Sequence, residues 1–310
     1  GEYDKGLKMA ESAVLRCNRA VVLRRLGRNA ESLSDCEAAL TLDPAYGKAA
    51  LGGAASALQL GDFDKASGFY EAYLKGNAPD PRIKMDLQKA RQLAQDVRQA
   101  RELLGSKNGE RAWACIKSAA QYAPKSVIIR LLQADILLLC KRHKEVLEIC
   151  DKMSSVGDSE LELARARAFA ALGKLEEALD LYKSFLRKDP DNESLKKERK
   201  AIGAMKAAKD KGNILFSEKS YTEAHATYTE ALTLAEDNDV YNAQVLCGRG
   251  ACAFKMNKLG DAIADFCRAI DRDPLSSKAY LHRARCYSKK GEYSEAVRDF
   301  ELYIEQRARG

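Results

Sequence analysis

Glycines at Gly27, Gly61, Gly173 and Gly291 each open a run with a small residue five positions on, and they sit in a register of about 34 residues. A chain that repeats itself at this interval cannot be a single-core globule, because each copy is too short to bury an apolar face alone and must stack on its neighbours. Numbering each copy 1 to 34 places full copies at 13–46, 47–80, 93–126, 127–158, 159–192, 205–238, 243–276 and 277–310, with 1–12 as the second helix of a truncated copy. Position 8 then reads Ala20, Ala54, Ala100, Ala134, Ala166, Gly212, Gly250 and Ala284, all small. Position 20 reads Ser32, Ala66, Ala112, Val146, Ala178, Ala224, Ala262 and Ala296, small at all but Val146. Position 24 is apolar throughout: Cys36, Tyr70, Ile116, Cys150, Tyr182, Tyr228, Phe266 and Phe300.

This pattern predicts two short antiparallel helices per copy. They approach closely where positions 8 and 20 meet, and the position-24 side chain fills the gap to the next copy. Asp43-Pro44, Asp189-Pro190 and Asp273-Pro274 are expected to end one copy and launch the next, since proline disfavours helix in the residue before it and tolerates a helix start. Two stretches interrupt the register. Arg82 to Leu104 runs without Gly or Pro, and a second helical run leads from Glu193 into the sixth copy, with Gly203 as the place where it would bend. The expected organisation is a first block 1–81, a middle block 82–192, a helical connector 193–204 and a last block 205–310.

The longest apolar stretch, Val127 to Cys140, is broken by Arg130, Gln133 and Asp135, and no basic-then-apolar leader opens the chain, so neither a membrane span nor a secretory signal is expected. The chain opens inside a repeat, so its true start is expected to lie upstream. Nine cysteines, without a C-x-x-C pair or a neighbouring His at ligand spacing, argue for buried thiols in a reducing, cytoplasmic setting and against disulfides or metal. The net charge of +7 favours an acidic partner. Basic and acidic residues interleave along most helices, however, and no aromatic-plus-basic stacking motif is present, which argues against nucleic acid. The cluster Lys196, Lys197, Arg199 and Lys200 reads as a solvated helix face. No Walker loop, G-x-S-x-G or H-E-x-x-H occurs, so neither an enzyme nor any cofactor, metal or small-molecule substrate is expected.

The small residues at positions 8 and 20 resemble the tetratricopeptide repeat family over essentially the whole chain, which implies an all-α superhelical solenoid. In co-chaperones of that family, a two-carboxylate clamp on the first helices holds the C-terminal Asp of the Glu-Glu-Val-Asp tails of heat-shock proteins 70 and 90. Ammonium, guanidinium and amide donors on adjacent helices give charge-assisted hydrogen bonds to both carboxylates. Carried over position by position, the resemblance implies Lys209 and Asn213 in the last block, then Gly248 where the family has Asn, Lys278, and His282 where it has Arg, with Arg283 one step round the helix as a substitute charge. The first block keeps Asn18 and Lys48 but has Gly52 in place of Arg; the middle block offers Val97, Arg101, Leu132, Glu160 and Ala164, which is no clamp. His282 implies an affinity that climbs as pH falls from about 7.5 towards 6. The layout of blocks is similar to that of the tetratricopeptide DnaJ co-chaperones of the subfamily C member seven type, although no His-Pro-Asp of a J domain is present. The alternatives are a scaffold for unrelated proteins and a regulatory module of a larger enzyme such as a phosphatase.

Overall fold

The computed structural model describes residues 12–152 and 159–309, and every regular element among them is helical. The helices fall into pairs: α1 Ala13–Arg25 with α2 Asn29–Leu42, α3 Gly47–Leu60 with α4 Phe63–Gly76, α5 Pro81–Gly105 with α6 Gly109–Tyr122, and α7 Val127–Leu139 with α8 His143–Lys152. They continue with α9 Ser159–Ala171 and α10 Leu175–Lys188, α11 Glu193–Ser217 and α12 Tyr221–Ala231, α13 Asp239–Lys255 and α14 Leu259–Arg272, and α15 Ser277–Lys290 and α16 Tyr293–Arg309. Each pair falls on one copy of the register, with α5, α11 and α13 starting ahead of theirs. The expected helix at 1–12 lies outside the described residues but for Ser12, which precedes α1. By its contacts the chain divides into two compact units, 1–164 and 165–310.

The turn inside every pair is built the same way. Repeat position 15 has a positive φ in all eight copies, at Gly27, Gly61, Gly173 and Gly291 and also at Lys107, Lys141, Lys219 and Asn257. Glycine adopts this left-handed backbone freely, whereas a residue with a Cβ pays of the order of 1 kcal/mol for it. The glycine spacing that marks the repeat in the sequence is thus half of a conformational rule that the whole array obeys.

Positions 8 and 20 are buried as their size requires, with Ala54, Ala100, Ala134, Ala166, Ala178 and Ala262 all inaccessible. Position 24 is buried from Cys36 to Phe266, while Phe300 at the end of the array is partly exposed. Among the described residues, which include all nine cysteines, there is no disulfide, and burial pushes the Cys36 thiol up to about 12. First helices also pack on the next first helices, α1 on α3 and α5 on α7 in the first unit, α11 on α13 and α13 on α15 in the second. Among the described residues no helix is long and apolar enough to cross a membrane.

The two long runs fold as anticipated into the 25-residue helices α5 and α11, and α11 passes through Gly203 without a break. The Asp-Pro dipeptides behave differently from expectation. Asp43, Asp189 and Asp273 do end their helices, but the next helices begin at Gly47, Glu193 and Ser277, beyond the prolines. The prolines sit in turns in which Asp43 accepts from the Ala45 N–H at 3.0 Å and Asp273 from the Leu275 N–H at 3.2 Å. Aspartate holding its own turn leaves no helix start for the proline to occupy. Pro81, by contrast, stands at the first turn of α5, where Asp80 caps the Arg82 N–H at 2.8 Å.

Positions 7 and 23 carry a two-pronged Arg–Asp pair in three copies: Arg19–Asp35, Arg249–Asp265 and Arg283–Asp299. The carboxylate is buried each time, so these pairs sit between the two helices of a copy and not on its surface.

Candidate functional site

In the unit 165–310, the first helices α11, α13 and α15 bring Lys209 and Lys278 to one groove of about 590 Å³, together with Lys206, Gln244 and the turn from Gly173 to Glu177. Lys209 donates from Nζ to Gln244 Oε1 at 2.9 Å. Burial, with help from the like charges of Lys206 and Lys278, holds the Lys209 ammonium below the usual lysine range, while Asp210 and Glu177 act in the opposite direction. A desolvated ammonium among other cations is stabilised by an incoming carboxylate, which is what a clamp requires. The groove is not uniformly positive, because Glu176, Glu177, Asp210 and Asp273 also line it.

Asn213 lies one turn beyond Lys209 on the same face of α11 and is exposed. Its Oδ1 accepts from the Tyr228 hydroxyl at 2.7 Å. With the carbonyl end occupied, the amide presents its two N–H donors, the polarity suited to a carboxylate. The Tyr228 ring reaches Asn213 by passing between two glycines: a Cβ at Gly212 would stand 2.5 Å from it and a Cβ at Gly248 2.6 Å. The absence of the family's Asn at 248 therefore has a physical cause, since the ring of Tyr228 fills the space its side chain would need.

The same contact recurs at two other position-6 residues, Gly52 and His282. A Cβ at Gly52 would lie 3.2 Å from Cys36 Sγ, and the His282 ring stacks on Phe266 with centroids 5.6 Å apart and planes 17° from parallel. Position 6 of one copy thus rests on position 24 of the copy before it, and what stands at 24 sets how much side chain position 6 can carry. Burial, then the nearby charges of Arg285 and Lys278, push the His282 imidazole below its ordinary 6.5.

Arg283 does not serve as the substitute charge. Its Nε and Nη2 donate to the two carboxylate oxygens of Asp299, both at 2.7 Å, and this partner pushes the guanidinium pKa further up. One residue's rotation round α15 carries it from the groove into the position-7 ion pair.

In the first unit Asn18 and Lys48 are both exposed, on α1 and α3, and burial pushes the Cys17 thiol up against the opposing effects of a Tyr46 hydrogen bond and of the Lys48 and Arg24 charges. Arg24, which is not a clamp-motif position, donates from Nη1 to the Gly52 carbonyl at 3.2 Å and so brings a guanidinium to the position where the family has Arg. Of the middle-block positions Val97, Leu132 and Ala164 are buried, while Arg101 and Glu160 are exposed. In the second unit, Gln244, Lys206 and Tyr228 are also outside the motif. Only the last carried a sequence signal, as a position-24 aromatic beside two glycines in register.

A family model described as tetratricopeptide repeat matches residues 17–81 and 252–310, and a second of the same description matches 159–201. Among curated proteins the chain is similar to DnaJ homolog subfamily C member 7 of Homo sapiens, 28% identical over 96% of this chain and 61% of that protein. It is also similar to the DnaJ homolog subfamily C member 7 homolog of Dictyostelium discoideum, at 25% identity over 87% of this chain and 51% of that protein. TPR repeat-containing thioredoxin TTL4 of Arabidopsis thaliana is 29% identical over 97% of this chain and 45% of its own length. The chain spans about three-fifths or less of the length of these relatives. Among solved structures, the P58(IPK) TPR domain superposes with a TM-score of 0.70 at 19% identity, covering 98% of this chain and 86% of that one, which identifies the fold.

Proposed function

The chain belongs to the tetratricopeptide repeat family, and on that premise we propose that the groove of its C-terminal unit holds the acidic C-terminal tails of heat-shock proteins 70 and 90. The protein acts in this reading as a chaperone-binding scaffold, the repeat portion of a DnaJ-type co-chaperone working in the cytoplasm. The similarity to DnaJ homolog subfamily C member 7 supports the co-chaperone role. The observation that carries the reading is the donor set itself: Lys209, held by Gln244, and Lys278 in one groove, and exposed Asn213 one turn along α11, its carbonyl taken by Tyr228 so that its amide N–H groups are left to donate. Asn18, Lys48 and Arg24 form a corresponding but smaller set in the first unit.

Asn213→Ala and Lys278→Ala are each expected to weaken binding of a Glu-Glu-Val-Asp peptide by roughly 1.5–3 kcal/mol, the scale of a hydrogen bond to a charged group. Arg101→Ala, in the middle block, is expected to leave the same affinity unchanged. Isothermal titration of the three variants checks this, and wild-type affinity in both groove variants would rule the groove out even with the fold intact.

The pH dependence follows from two lowered pKa values. A bound carboxylate raises the pKa of His282 and of Lys209. For each group the added affinity is complete below the free-state pKa and lost as pH rises through the bound-state one. His282 starts below 6.5, so the rise expected between pH 7.5 and 6 moves to lower pH. Lys209 starts below 10.5, so its contribution fades on the alkaline side. Titrations across pH are expected to give a flat affinity near neutrality, a rise below about pH 6.5 and a fall at alkaline pH. An affinity that already doubles between pH 8 and 7 would show that another group controls binding.

A further inference from the structure

The basic run of α11 does not stand alone in solvent. Lys196, Arg199, Lys200 and Lys206 form one wall of a groove of about 550 Å³ whose other wall is α10, with Glu176, Asp180 and Lys183. Three of the cations are already paired: Lys183 with Asp180 at 3.2 Å, Lys196 with Glu193 at 2.7 Å and Lys206 with Asp210 at 2.7 Å. Arg199 and Lys200 are exposed and have no ion-pair partner among the described residues. Between the walls, Leu179 supplies apolar surface, and a Cβ built on Gly203 meets no atom within 4 Å, so the groove is open along α11 at that point.

We propose that this α10–α11 groove is a second interaction site, taking an Asp/Glu-rich segment of a partner protein whose carboxylates meet Arg199 and Lys200 and whose apolar side chain packs against Leu179 and Gly203. Charge complementarity identifies the occupant. The two unpaired cations ask for anions at one wall, yet Glu176 and Asp180 on the other repel a continuous line of phosphates, and no aromatic ring lines the groove to stack a base. A peptide satisfies both walls, because it can place acids on one side and an apolar or basic residue on the other. The site adjoins the tail-binding groove, with which it shares Lys206 and Glu176, but Lys209, Asn213 and Lys278 do not line it.

The test uses the full chain and a short fluorescein-labelled Glu-rich peptide with one Leu and an amidated C-terminus, which offers the first groove no terminal carboxylate. Fluorescence anisotropy is expected to show salt-sensitive binding that Arg199→Glu with Lys200→Glu weakens by about tenfold or more. Gly203→Gln is expected to weaken it as well, by filling the groove, while the better helix former keeps the thermal midpoint at or above that of the parent. The charge-matched pair Lys84→Glu with Lys89→Glu on α5, and the pair Asn213→Ala with Lys278→Ala, are expected to bind like the parent. No binding by the parent protein, undiminished binding in the Arg199/Lys200 and Gly203 variants, an equal loss in the α5 pair, or tighter binding of a single-stranded RNA than of the peptide would each overturn the assignment.

Discussion

Asp265→Ala is expected to destabilise the C-terminal unit by about 3–5 kcal/mol, the cost of leaving a buried charge without its partner. Arg249 donates from Nε to Asp265 Oδ2 at 2.9 Å and from Nη2 to Oδ1 at 2.6 Å. The two side chains are only 13% and 6% exposed, so the pair is largely shielded from water. The guanidinium would retain a bond from Nη1 to Thr229 Oγ1 at 3.2 Å, a neutral acceptor that does not compensate the charge. Replacing both members with apolar residues, Arg249→Met with Asp265→Leu, is expected to recover most of the loss, because the pair's attraction is largely offset by its own desolvation. Urea unfolding of the two variants separates the terms. A loss below about 1 kcal/mol for Asp265→Ala would place this pair with ordinary surface salt bridges.

The second large effect concerns the residue that departs most plainly from the family's clamp. Restoring Asn at Gly248 is expected to destabilise the protein by about 1–3 kcal/mol through overpacking, and to weaken tail binding instead of improving it. The new Cβ would meet the Tyr228 ring, which is 2% exposed and confined by Gly212 on its other side. Moving the ring breaks the hydroxyl's bond to Asn213 and frees the amide to turn its carbonyl towards the ligand. Tyr228→Phe in the parent isolates that last effect, since it removes the bond without the collision. A Gly248→Asn variant with unchanged stability and tighter peptide binding would show that Tyr228 does not orient Asn213.

What could be read from the chain, and what could not, divides along physical lines. Size at positions 8 and 20 is dictated by helix–helix approach, so Ala178 and Ala262 announced the pairing directly and both are inaccessible in the structure. The left-handed turn at position 15 was legible only where glycine marks it. Lys107, Lys141, Lys219 and Asn257 adopt the same backbone without advertising it, because the strain is small enough for the rest of the repeat to absorb. Arg283 was misread for a different reason. A charge one residue from a groove position looks available in a sequence, and only the partner sixteen residues away, Asp299, removes it. Likewise the empty place at Gly248 looked like a missing clamp residue, when it is the seat of a neighbouring ring. Lysines such as Lys209 and Lys278 were found by register, but Gln244 and Lys206 were not, since their role depends on how α11 and α13 approach.

The central claim is that the groove reads the two carboxylates of a chain terminus. Isothermal titration of the intact protein with a Glu-Glu-Val-Asp peptide as the free acid and as the C-terminal amide tests it most directly, because the amide differs only by the loss of the terminal carboxylate. The free acid is expected to bind, and the amide to bind about tenfold to a hundredfold more weakly, the equivalent of one charged hydrogen-bond set. Equal affinity of the two peptides would contradict the account, since Lys209, Asn213 and Lys278 would then not be holding a terminus.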